Sequence, residues 1–205
     1  MTLAEVKLKI RGILNETGAE ESFTLISVET VKLDDYIKLV IPDAVRFVLS
    51  QNIPSLYLPI ESVSSSTVNA EDGCSIIALP ANFLRFISCR LSGWKREVQK
   101  IGGENEYKSN HNAITRAGVN KPSCVYANSS TGRVIECFPS GTLSHFRYVK
   151  NGSIPALDTD TLPVSDEILN SICYAAAYLV YSIFENTNAA ENMKKISLEL
   201  LPKDE

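Results

Sequence analysis

The chain has 205 residues, 44% hydrophobic and 21% charged, with 20 Lys/Arg against 24 Asp/Glu. This suits a folded protein with a substantial core, and a chain of this length needs no disulfide or metal staple. The longest apolar run, Cys173 to Tyr181, is too short for a bilayer span, and the first residues lack a signal-peptide core, so a soluble, non-secreted chain is expected.

In chain order, Thr2-Leu-Ala-Glu5 has the pattern of a capping box, in which a Thr hydroxyl and a Glu carboxylate satisfy each other's backbone amides. Leu3, Val6, Ile10, Ile13 and Leu14 follow at helical spacing and predict a helix of about four turns. Asn15 to Thr30 reads as a polar loop. Leu33, Ile37, Val40, Ile41, Ala44, Val45, Val48 and Leu49 then form a wide apolar stripe. Pro42 interrupts this stripe without shifting its register, which predicts a kinked helix rather than two helices.

From Ser62 the texture becomes β-like. Strands are predicted at 62–69, 74–79, 85–91, 95–101, 123–127, 133–138 and 143–149, with turns at Asp72-Gly73, Ser92-Gly93, Thr131-Gly132 and Ser140-Gly141. Residues 104–110 read as one or two helical turns, and 111–121 as an irregular excursion. Ser165, followed by Asp166 and Glu167, opens a long helix as its cap. Its apolar residues cover more than one face: Ile168, Leu169, Ile172, Cys173, Ala176, Leu179, Val180, Ile183 and Phe184. That makes it central, with Ala175–Ala177 allowing close approach. A last amphipathic helix over 189–201 turns Met193, Ile196, Leu200 and Leu201 inward.

No catalytic pattern emerges. His111 and His145 lie near no nucleophile elbow or metal-ligand spacing and read as structural histidines. Asp34-Asp35 and Asp158-Thr-Asp160 lack the further ligands of a cation loop and read as solvated turns. The five cysteines, Cys74, Cys89, Cys124, Cys137 and Cys173, contain no CxxC pair. They are expected to be small buried hydrophobes in a reducing compartment. No metal and no cofactor is called for.

Charge is unevenly placed. Residues 1–83 carry 6 Lys/Arg against 11 Asp/Glu, residues 84–150 carry 11 against 4, and residues 151–205 carry 3 against 9. Acidic ends flanking a basic middle favour contact between copies of one chain. Phe83, Phe86 and Trp94 are expected as anchors of the middle part. Arg85, Arg90, Trp94, Lys95 and Arg96, with Lys194 and Lys195 near the C-terminus, are the candidate interface residues.

The segments VKLKIRGILNET, LDDYIKLVIPDAVRFVLS, LPANFLRFISCRL, LPVSDEILNSICYAAAYLVYSIF and NAAENMKKISLELL, in this order, resemble the head–tail adaptor proteins of short-tailed phages, the tail-tubular-protein-A-like neck-ring family. The most specific points are Leu79-Pro80-Ala-Asn-Phe83, and 172–184 followed by Ala189-Ala190-Glu191. The resemblance implies a structural virion protein of the neck, made in the host cytoplasm and not an enzyme. It implies a homo-oligomeric ring of about twelve copies that binds the portal and the next tail protein. DNA would pass through its channel without sequence-specific contact, and no membrane is involved.

The expected fold is α+β: a helical bundle from the N- and C-terminal helices with an inserted, mainly antiparallel β module. Its parts are 1–61, 62–150 and 151–205, forming one compact unit. Two other functions compete with the adaptor. One is a glycan-acting hydrolase of a phage tail using acids of the 151–167 loop. The other is a nucleic-acid-binding module using the basic residues beside Phe86 and Trp94.

Overall fold

The computed structural model describes residues 1–16, 27–63, 68–69, 73–130, 132–151 and 160–203. Its elements are α1 (Leu3–Glu16), α2 (Ser27–Leu49), β1 (Ile60–Val63), β2 (Val68–Asn69), β3 (Ser75–Ala78), β4 (Phe83–Leu91), α3 (Glu104–Asn110), β5 (Ser123–Ser129), β6 (Gly132–Phe138), β7 (Leu143–Lys150), α4 (Asp166–Ile183) and α5 (Thr187–Glu199). The chain divides into two compact units, Met1–Pro59 with Asn151–Glu205, and Ile60–Lys150. Helices from both chain ends make the first and antiparallel sheets the second, so the fold is the α+β arrangement that the periodicity predicts.

In the helical unit the capping box is present. The Thr2 amide donates to Glu5 Oε2 at 2.8 Å, and the Glu5 amide donates to Thr2 Oγ1 at 3.3 Å. All five apolar residues of the α1 stripe are buried, as are the eight of α2. Helix α2 runs through Pro42 without ending. It starts at Ser27, inside the stretch expected to be loop, while 17–26 lie outside the described residues.

Helix α4 is the hub, packing against α1, α2 and α5. Ala175, Ala176 and Ala177 are all fully buried, and small side chains are what let three helices approach one. At its C-terminal end the expected stripe fails, since Ile183 and Phe184 are 43% and 46% exposed. Tyr181 is buried instead and donates its hydroxyl to the Leu14 carbonyl at 2.8 Å, joining α4 to the end of α1.

Two helix expectations are corrected. Ser165 occupies the N-cap position but makes no capping bond; its hydroxyl donates to the Glu167 carboxylate. Leu200 is exposed rather than inward, and Ser197 is buried in the face that Met193 and Ala190 share. Ser197 and Ser171 satisfy one another across the α4–α5 contact: each hydroxyl donates to the other residue's carbonyl at 2.8 Å.

The β unit holds a three-stranded sheet, β1-β7-β4, and a four-stranded sheet, β2-β3-β6-β5. One cluster draws buried side chains from both: Ile77, Cys124, Ile135 and Cys137 from the larger sheet, and Phe86, Cys89, Leu91, Leu143, Phe146 and Tyr148 from the smaller. Alternation along a strand then sends Cys74, Val125 and Phe138 to the opposite face of the larger sheet, where Ala117 of the 111–121 excursion packs on them. Both faces of that sheet are covered. This is why Cys124-Val125 and Cys137-Phe138 are each buried as adjacent pairs.

The corner at Leu79–Asn82 carries the chain from β3 in one sheet to β4 in the other. The Phe83 amide closes it on the Pro80 carbonyl at 2.9 Å. Asn82 latches it, donating to Glu61 Oε2 at 3.2 Å and accepting from the Tyr148 hydroxyl at 3.0 Å. The predicted run 62–69 is similarly two short strands on different sheets, β1 on β7 and β2 on β3. The expected strand 95–101 is not one. Only Val98 pairs, in an isolated bridge to Cys89, because it alone among 95–100 has an apolar side chain to bury.

Candidate functional site

The sequence-predicted interface residues fall into three structural settings. Arg90, Lys95 and Arg96 are exposed at the end of β4 and in the turn after it. That turn depends on Gly93, whose φ of +84° is a left-handed conformation that side chains disfavour. Arg90 Nη2 donates to the Trp94 carbonyl at 3.4 Å and the Lys95 amide to the Val119 carbonyl at 2.9 Å, so the backbone holding the cations is fixed. Arg85 is half-buried, and that burial lowers its pKa.

Trp94 lies inside the unit. It is 2% exposed, and its indole N–H donates to the Pro139 carbonyl at 3.0 Å. Phe86 is 9% exposed. Neither ring is therefore a surface on which a base can stack, which removes the aromatic platform from the nucleic-acid reading. Lys194 and Lys195 are exposed on α5. The Lys194 ammonium stands 5.7 Å from the Tyr178 ring centre, and Lys195 lies 3.9 Å from Glu199.

Both histidines are tied to carboxylates. His111 Nε2 is 2.9 Å from Glu136 Oε2, with its ring edge-on to Phe138 at 5.5 Å. His145 Nε2 is 2.7 Å from Glu97 Oε1. Burial pushes the Glu97 carboxyl up, but hydrogen bonds from Ser88 and His145, with the charges of His145 and Arg147, outweigh it and hold it below the usual range. Register pairs His145 with exposed Arg90, whereas Cys89 pairs with buried Phe146, so His145 and Cys89 leave the β4–β7 pair on different faces.

Asp34 lies 2.8 Å from Arg11 Nε and bridges α2 to α1. Asp160 holds the chain start through its backbone, accepting from the Leu3 amide at 3.0 Å. Asp158, with Asp72 and Thr131, lies outside the described residues.

An open groove of about 750 Å³ runs along the excursion, lined among others by Lys100, Glu106, Asn110, Arg116 and Lys121. Its most buried polar residue, Asn110, is spent internally: it donates to Ser123 Oγ, accepts from the Ala117 amide, and its carbonyl accepts from Arg116 Nε. The groove is built to hold the excursion on the sheet.

One further cluster was missed in the sequence reading. Cys89 from β4, Cys124 from β5 and Cys137 from β6 converge in the core, all fully buried. The Cys124 and Cys137 sulfurs are 3.4 Å apart and those of Cys89 and Cys137 3.9 Å apart. Hydrogen bonds from Cys124 and then Cys137 draw the Cys89 thiol down to about 5, against its burial. The Cys137 thiol is pushed well up by its contacts with Cys124 and Cys89 and by burial. For Cys124 the Cys137 contact works downward, but the Cys89 contact and burial push it well up. The signal was latent in strand phase: all three positions face the same core.

Among the described residues, no helix is long and apolar enough to cross a membrane. No curated protein matches the chain. Arg90, Lys95 and Arg96 are thus exposed on a fixed β turn of one unit and Lys194 and Lys195 on a helix of the other, while Phe86 and Trp94 are turned inward. Residues 1–198 match the family model of the SU10 adaptor protein, and the chain belongs to that family of phage head–tail adaptors, structural proteins of the virion.

Proposed function

We propose that copies of this chain associate head to tail in a closed ring of about twelve subunits, which joins the portal to the next tail component and extends the DNA channel of a short-tailed phage. The observation that carries this reading is the division of charge. The helical unit holds 9 Lys/Arg against 17 Asp/Glu, a net −8, and the β unit holds 11 against 7, a net +4. One surface of each sign on every copy gives a heterologous contact, which closes into a ring when the rotation per subunit is right. Arg90, Lys95 and Arg96 supply the exposed basic side, with Arg85 behind them and Trp94 as the buried anchor of their turn. Lys194 and Lys195 sit on α5, and on this reading the helical unit that holds them faces the portal. A net acidic helical unit also repels phosphate, which lets DNA slide past without being held.

The test is assembly on the portal. Purified chain mixed with its cognate portal protein is expected to co-sediment and to give a ring of fixed copy number in electron micrographs. A chain that stays monomeric with the portal and makes no complex overturns the reading.

A further inference from the structure

We propose that Cys89, Cys124 and Cys137 form a three-sulfur site for one soft, closed-shell metal ion, with Cu(I) the biological ion that fits best. The site stands independently of the ring. Three strands from two sheets deliver one sulfur each, and the three sulfurs lie within 4.8 Å of one another. Sulfurs bonded to a shared ion at about 2.3 Å stand about 4 Å apart in a trigonal plane. The observed separations of 3.4 Å and 3.9 Å both lie below that value, so the sulfurs spread slightly as the ion enters.

Coordination number and ligand softness choose among the thiophilic ions. Structural zinc takes four ligands in almost all cases, and among the described residues no fourth His, Cys, Asp or Glu joins the group. Thiolate sulfur selects Cu(I) among the soft ions, and three-sulfur coordination suits it. The surroundings are apolar, with Ile77, Phe86, Leu91, Ile135 and Phe146 in the same cluster, which keeps hard oxygen ligands and water away from the sulfurs. Cysteine ligates as thiolate, so three-sulfur binding of one ion displaces the three thiol protons to solvent, and affinity rises with pH. Bound in this way, the ion links the three-stranded sheet to the four-stranded one and stabilises the folded unit over the unfolded chain.

A disulfide between Cys124 and Cys137 is the competing chemistry, since the two are directly opposite on β5 and β6. The experiment offers Cu(I), without oxygen and with reductant present, to the full chain in competition with a chromophoric Cu(I) chelator, both to native protein and during refolding. Wild type is expected to withdraw one Cu(I) per chain, and C173A, which alters a cysteine in the other unit, the same amount. C89A is expected to withdraw none. Melting temperature should rise with Cu(I) for wild type and stay unchanged for C89A. The proposal is overturned if wild type leaves all Cu(I) on the chelator, if C89A binds as wild type does, or if a urea-unfolded chain competes equally well. A chain isolated two hydrogens lighter, with Cys124 joined to Cys137, overturns it too. A wild type that leaves all Cu(I) on the chelator overturns the proposal whether or not C89A folds.

Discussion

Thr2 and Glu5 hold the first turn of α1 through two reciprocal bonds to backbone amides. Thr2→Ala removes the acceptor for the Glu5 amide and should cost about 1 kcal/mol, read as a shift in the urea midpoint. The Glu5 carboxyl is held below its ordinary value by hydrogen bonds from Thr2, backbone first. Its folded pKa lies below the unfolded one, so its contribution is present above the unfolded carboxylate range and is lost as pH falls through the folded value. Urea midpoints followed below about pH 4.5 should fall less steeply for Glu5→Gln than for wild type. Tyr181 acts over a longer reach. Its hydroxyl is buried and donates to the Leu14 carbonyl, so Tyr181→Phe should cost about 1 to 2 kcal/mol in denaturant unfolding. Cys173 is pushed up to about 11 by burial among the alanines of α4, and it should resist alkylation in the native chain at neutral pH.

At the level of elements, α4 and α5 meet through a serine pair that a hydrophobic helix contact does not require. Each hydroxyl is fully buried and answered by the other residue's carbonyl. Ser171→Ala alone, or Ser197→Ala alone, leaves a buried polar group without its partner and should cost about 1 to 3 kcal/mol. The double variant removes both groups together and should cost less than the sum of the singles. A double-mutant cycle by chemical denaturation measures the difference. The segment 95–101, expected as a strand, shows the complementary effect. Alternation written in charged residues around a single valine forms one bridge, because a strand needs a face to bury.

For the molecule as a whole, what matters is that charge is divided between its two units. The combined variant R90E/K95E/R96E reverses the exposed basic turn without touching the core. It should cost about 1 kcal/mol of the chain's own stability, since Arg90 gives up its bond to the Trp94 carbonyl, and should weaken ring formation on the portal, as raised salt should for wild type. Sedimentation of the mixture at low and high ionic strength checks both statements. Unchanged assembly in the variant would move the interface away from this turn.

How much of this was legible beforehand follows from the range of the interactions. Most helix positions and the capping box are written in local spacing, because hydrogen bonds three or four residues apart and the periods of helix and strand are properties of short segments. The helix–β–helix order was enough to point to an adaptor. Contacts between residues far apart in sequence were not legible. Trp94 is an anchor in the sequence reading, but only the fold turns its ring away from the surface. Ser197 replaces Leu200 on the buried face because Ser171 waits on the other helix. Cys89, Cys124 and Cys137 look like scattered small hydrophobes until two sheets close on them. The sequence by itself determined most helix and strand segments, though not the start of α2 or the fate of 95–101, and how charge is shared between them. The tertiary structure decided which side chains meet, since that depends on how strands and helices distant in sequence pack together.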